Sequence, residues 1–151
     1  MRRRVRQVCP LAMVLAAATL AADRPTLSFD DVVLRTAGIP SGAFIRVWTD
    51  EKGLGTYVHE AVTLTDDGTT VRFWAIIDER HQKEHRAGQW GLNCRSGDTQ
   101  PIASVLLTGP EQGQRRPAKN VTRNVFDDSE QGLAVWRFVC ARVWKSGSGV
   151  S

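Results

Sequence analysis

Residues 69–78 read TTVRFWAIID, the longest strand-like run of β-branched and aromatic residues in the chain. Side chains along a strand alternate between faces, so Val71, Phe73, Ala75 and Ile77 point one way and Arg72, Trp74, Ile76 and Asp78 the other. The first set is wholly apolar and the second mixed, as expected of a central antiparallel strand with one side on a core. Asp66-Asp67-Gly68 just before it supplies a turn. Nothing in the stretch suggests chemistry; it decides a fold.

Working outward, AFIRVWT at 43–49 is a strand with Phe44, Val47 and Trp48 for packing, and the two glycines of 50–55 make a hairpin turn. Residues 56–59 form a short second strand, and 60–64 suit one helical turn or an extended link. Beyond Asp78 a polar run at 79–88 reads as a charged loop or a frayed hairpin. Residues 89–94 are a strand with Trp90 and Leu92 on one face, Ser96-Gly97-Asp98 is a turn, and PIASVLLT at 101–108 is a strand that tolerates Pro101 at its start. Residues 109–128 form a long loop containing Arg115-Arg116. Ser129 has the character of a helix N-cap, followed by Leu133, Trp136 and Cys140 on one face with Val135 and Val139 beside them. VWRFVCARVW also alternates as a strand would, but the cap and the Leu133-Ala134 pair favour a helix. The expected fold is therefore α+β: an antiparallel sheet of about five to six strands with a C-terminal helix packed on it.

The ends of the chain indicate a compartment. Arg2, Arg3, Arg4 and Arg6 precede the apolar run 11–20 and then Ala21-Ala22, the layout of a secretory signal peptide over residues 1–22, too short in its apolar part to span a bilayer. This segment holds four of the 20 basic residues and none of the 16 acidic ones, so the formal net charge of +4 disappears with it. A nucleic-acid partner thereby loses its electrostatic basis, and no membrane span is expected after signal removal. Cys9 leaves with the signal. The two remaining cysteines, Cys94 and Cys140, allow a single pairing, and an oxidising compartment favours the disulfide over two buried thiols. A ring of that size stabilises by about 4 kcal/mol, less any native strain. Residues 23–42 read as an irregular arm or edge strand, 43–145 as one domain, and 146–151 as a flexible tail.

Three pieces, GTYVHEAVTLTDDGTTVRFWAIID, QWGLNC and LAVWRFVC, together resemble the surface-adhesin protein E family of small exported bacterial proteins. The resemblance covers roughly residues 44–140. It implies an aromatic strand, a Gly turn, a long strand with a central tryptophan (here Trp74), and cysteines closing a later strand and a terminal helix. His59 stands where the family often has an acidic residue, and Asp127-Asp128-Ser129 where it often has Pro-Gly. The implied activity is adhesion to host matrix and serum proteins, with no cofactor, the partner being an extracellular or envelope protein. No ligand-contacting residue carries over.

Candidate chemistry is sparse. His81-Gln82-Lys83-Glu84-His85 matches the H-x-x-E-H pattern, in which a helix presents two histidines to zinc and a glutamate acts as base. The motif falls between two expected strands, so a solvated charged loop is the better reading and no metal or catalytic residue is assigned. Asp66-Asp67 and Asp127-Asp128 are explained by a turn and a helix start. Trp48, Trp90 and Trp136 suit core filling. On the mixed face of the central strand, Arg72, Trp74 and Ile76 are the candidate binding residues, since an exposed Trp beside an Arg is enriched at binding hot spots; the alternative is that Trp74 packs under the helix or the 109–128 loop. Three readings follow: an exported non-enzymatic binding or adhesion domain, a periplasmic accessory or structural protein, and, remotely, a zinc-dependent hydrolase using His81 and His85.

Overall fold

The computed structural model describes residues 24–77, 84–118 and 129–147. In chain order the elements are β1 (Thr26–Leu27), α1 (Asp31–Thr36), β2 (Phe44–Thr49), β3 (Gly55–His59), β4 (Thr63–Leu64), β5 (Thr70–Ile77), β6 (Arg86–Asn93), β7 (Thr99–Leu106), β8 (Arg115–Pro117) and α2 (Glu130–Gly147). The strands form one sheet in the order β1-β2-β3-β5-β6-β7-β8, with β4 also on β5, and every pairing is antiparallel. The α+β expectation holds, with eight strands instead of five or six; the additional ones, β1, β4 and β8, are too short to announce themselves by alternation.

The part of that stretch within the described residues is indeed central: β5 pairs with β6 from Thr70↔Asn93 to Ile76↔Ala87 and on its other edge with both β3 and β4. Its turn is built by Asp67, whose carboxylate accepts from the Thr65 and Thr70 hydroxyls and from the Thr69 and Thr70 N–H groups at 2.6–2.8 Å. Gly68 has φ 68°, a conformation that glycine adopts without a Cβ penalty. Those hydrogen bonds, the Thr70 hydroxyl foremost, hold the Asp67 carboxyl well below the usual carboxylate range. Pro101 lies inside β7, opposite Trp90, where a bulge shifts the β6–β7 register. A bulge is one of the few places where an internal strand admits a residue without an N–H.

Both faces of the sheet are covered. On one, Val71, Phe73, Ala75 and Leu92 pack with Val135, Val139 and Cys140 of α2. Trp90 lies there too, and Gly88 is bare beneath it: a Cβ at 88 would stand 2.7 Å from the indole nitrogen. The disulfide joins Cys94, just past β6, to Cys140 in α2 across 46 residues. On the other face Tyr57, Trp74, Ile76, Ala87 and Val105 pack with Leu34, Ala37, Ile39 and Phe44.

Of the two readings of 23–42, the edge strand is present as β1, and the irregular arm is corrected. Asp30 caps α1 by accepting from the Val32 N–H at 2.7 Å. At the other end Gly38 (φ 73°) lets the Ile39 N–H reach the Leu34 carbonyl at 2.8 Å and its own N–H reach Arg35 at 3.0 Å. This is a Schellman ending, with Leu34 and Ile39 as its apolar contact. The segment belongs to the core. Likewise the helical stripe is corrected: Val135, Val139 and Cys140 are buried, whereas Leu133 is 42% exposed. Residues 1–23, 78–83, 119–128 and 148–151, which include the expected signal, His81, Asp127-Asp128 and most of the tail, lie outside the described residues. Among the described residues no helix is long and apolar enough to cross a membrane.

Candidate functional site

The second face of α2 forms the site. Ser129 caps the helix as expected: its Oγ accepts from the Gly132 N–H at 3.1 Å, and its carbonyl accepts from the Leu133 N–H at 2.9 Å. The core then fixes the helix rotation through Val135, Val139 and the disulfide at Cys140. That leaves Ala134, Arg137, Phe138, Ala141 and Arg142 sharing a different face. Between these residues, Val47 of β2 and Arg24 lies a cavity of about 450 Å³. The two alanines make the depression; the arginines make it cationic.

Arg142 is held in position. Its Nη1 donates to the Glu60 carbonyl at 2.9 Å, and its guanidinium sits over the Phe138 ring, 4.3 Å from the centroid. Glu60 sends its carboxylate elsewhere, to the Ala43 N–H at 3.0 Å. Arg24 and Arg137 are exposed and pair with no acidic side chain among the described residues. Among the described residues no acidic side chain lines the cavity. Three guanidiniums above an apolar floor attract anions, and the low-dielectric wall strengthens the attraction. Arginine does not give up its proton in proteins, so the lining offers charge and donors but no general base.

The expected binding trio is not a surface patch. Arg72 is exposed, but Trp74 is 4% and Ile76 1% exposed, both packed in the second core. The cation beside Trp74 is Arg115, 5.7 Å from the ring, and not Arg72. Arg115 comes from β8, inside the stretch read as a loop, and also donates to Gln89 Oε1 at 2.6 Å. Of the two readings of Trp74, the structure bears out packing and not the exposed binding role, because the mixed face of β5 is covered. The cover comes from residues far back in the chain. Cys94 and Cys140 do form the expected bond.

His81 lies outside the described residues, so the zinc pattern is visible only at its end. There Glu84 sits in a bend and His85 leads directly into β6. The His85 ring stands edge-on to Phe29, with centroids 5.6 Å apart. Among the described residues no group of three or more His, Cys, Asp and Glu side chains gathers as a metal site.

His59 has a role that the sequence did not suggest. The pairing Val58↔Ala75 resumes as Thr63↔Arg72, so four residues of one strand face two of the other, and the ladder breaks. The His59 imidazole fills the break: its Nδ1 accepts from the Ala61 N–H at 3.0 Å, while its ring stands edge-on to Phe44 at 5.0 Å. With Nδ1 accepting, the proton resides on Nε2, which is buried and has no well-formed hydrogen bond among the described residues, the Pro40 backbone offering only a weak one. Burial pushes the imidazole pKa below its ordinary value of 6.5, outweighing the charge of Glu60, and the N–H that Ala61 donates to Nδ1 favours the same neutral ring.

The groove arginines were not singled out from the sequence. The spacing of 134, 137, 138 and 141 was visible, but reads as an ordinary solvated face until α2 is placed against β2 and Arg24. No family model, curated protein or solved structure matches the chain.

Proposed function

We propose that this chain is an exported, non-enzymatic binding domain of the adhesion type, and that the arginine-lined groove beside α2 is where it holds its partner, an extracellular or envelope protein. The observation carrying this reading is the lining itself: arginines around an apolar floor, with no nucleophile or proton-transfer group among the described residues that line it. Such a lining suits the retention of an anionic ligand. Export is supported by the basic and apolar start of the chain and by the disulfide, a bond that persists in oxidising compartments.

The test immobilises extracellular-matrix proteins and extracted envelope proteins and measures retention of the mature domain. Wild type should be retained at low ionic strength, less so as salt rises, and Arg24→Glu with Arg137→Glu should abolish retention. Equal retention of the double variant would remove the groove from the reading; no retention of either would remove adhesion.

A further inference from the structure

We infer that the groove recognises an acidic peptide segment in which one aliphatic side chain is flanked on both sides by carboxylates; this deepens the proposed function and rests on it. The order of chemistry across α2 supplies the pattern. A helical residue advances about 100° around the axis, which sets Phe138, Ala134 and Ala141 between Arg142 on one side and Arg137 on the other. Arg24 adds a third cation from beyond the helix. The groove is thus cation, apolar floor, cation.

A lipid carries its charge at one end and needs a long apolar channel. A sulfated glycan carries charge throughout and has no use for Phe138, Val47 and the alanines. The matching occupant has negative charge on either side of a short apolar group. An aliphatic residue between acidic neighbours is such an object, and a cavity of about 450 Å³ admits its side chain with the neighbouring carboxylates. Arg142, held by the Glu60 carbonyl and Phe138, contributes its charge to that side of the groove. The exposed Arg137 and Arg24 remain available for planar two-point contacts.

The probe is the capped peptide Glu-Asp-Leu-Asp-Glu, titrated into the mature domain and followed by amide chemical shifts. Its Gly-centred form and its neutral form, Gln-Asn-Leu-Asn-Gln, serve as the two half-ligands. Shifts should centre on 134–142. The Gly-centred peptide should bind roughly tenfold more weakly or worse, the loss expected for one buried leucine side chain, and the neutral peptide should not saturate. Arg24→Glu with Arg137→Glu should abolish binding, with a melting temperature near wild type since both side chains are exposed. Ala141→Leu, which fills the floor, should reduce the leucine peptide to the level of the glycine one. Equal affinity for the leucine and glycine peptides, or binding that survives the double variant, overturns the inference. So does groove-dependent binding of phosphatidylglycerol vesicles in place of the peptide. If the peptides fail while matrix or envelope proteins still require Arg24 and Arg137, the ligand class is wrong and the proposed function stands.

Discussion

The two faces of the sheet are covered in different ways. On the Phe73 side the cover is an 18-residue helix fastened to the sheet by a disulfide. On the Trp74 side it is a strap, residues 24–43, whose regular structure is the two-residue β1 and the six-residue α1. The helix arrives last in the chain and is tied covalently; the strap arrives first and is held by small contacts. These are the Asp30 cap, the Gly38 ending, the Arg46 N–H to the Pro25 carbonyl at 2.9 Å, and Phe29 edge-on to Phe44 at 5.8 Å. Equal burial on the two sides therefore does not mean equal resistance to opening. The helix side belongs to global unfolding, and the strap is the part that can lift alone.

The largest expected effect tests whether the strap side is a core at all. Trp74→Ala should cost ~3–5 kcal/mol, as for any buried aromatic, matching Phe73→Ala on the helix side. A thermal melt of both variants decides: a Trp74→Ala melting temperature close to wild type would show that the strap covers nothing of consequence.

Next comes the covalent tie. Replacing Cys94 and Cys140 together by Ala should cost about 2–4 kcal/mol and should bring α2 amide exchange towards that of α1. If the helix side stays equally protected, packing alone holds it and the two faces differ little.

Much of this contrast was legible beforehand on one side only. The strands with clear alternation, the α2 cap and the cysteine pair follow from local pattern and counting. Trp74 was left with two readings because its cover is contributed about 40 residues earlier, by a helix of six residues that includes Val32 and Val33. Helices of that length are unstable in isolation and carry little periodic signal. Yet Asp30 before the run and Gly38 after it are the start and stop residues of a helix. For α2 the stripe Leu133, Trp136, Cys140 competed with Val135, Val139, Cys140, and only the rotation imposed by the core selects the second. The groove was illegible for a related reason, since Arg24 and Arg137 come together only in the tertiary structure.

Asp30→Ala removes the α1 cap and should cost about 1 kcal/mol. Hydrogen exchange should localise that loss to the strap, speeding Leu34 and Ile39 while leaving 135–140 unchanged. Uniform acceleration across both faces would mean that the strap and helix open as one unit.

The smallest effect is a pH dependence confined to the strap side. His59 has a folded pKa below its ordinary value of 6.5, so its contribution is fully present above pH 6.5 and is lost as the pH falls towards the folded value. Protonation also ends the Ala61 N–H contact, because Nδ1 becomes a donor. Between pH 7.5 and 5.5 the wild-type melting temperature should fall and strap amides should exchange faster; His59→Gln should show a shallower slope. An identical slope in the variant would assign the dependence to other groups.

The sheet also has two ends. An open sheet exposes an unpaired row of backbone groups at each edge, an invitation for another chain to add itself. Here the outermost strands are β1, two residues long, and β8, three residues with Arg115, Arg116 and a terminal Pro117. The first offers little ladder to extend, and the second is charged and ends in a residue that cannot donate. Copies crowded together are thus discouraged from joining strand to strand, and contact with other molecules is left to side chains.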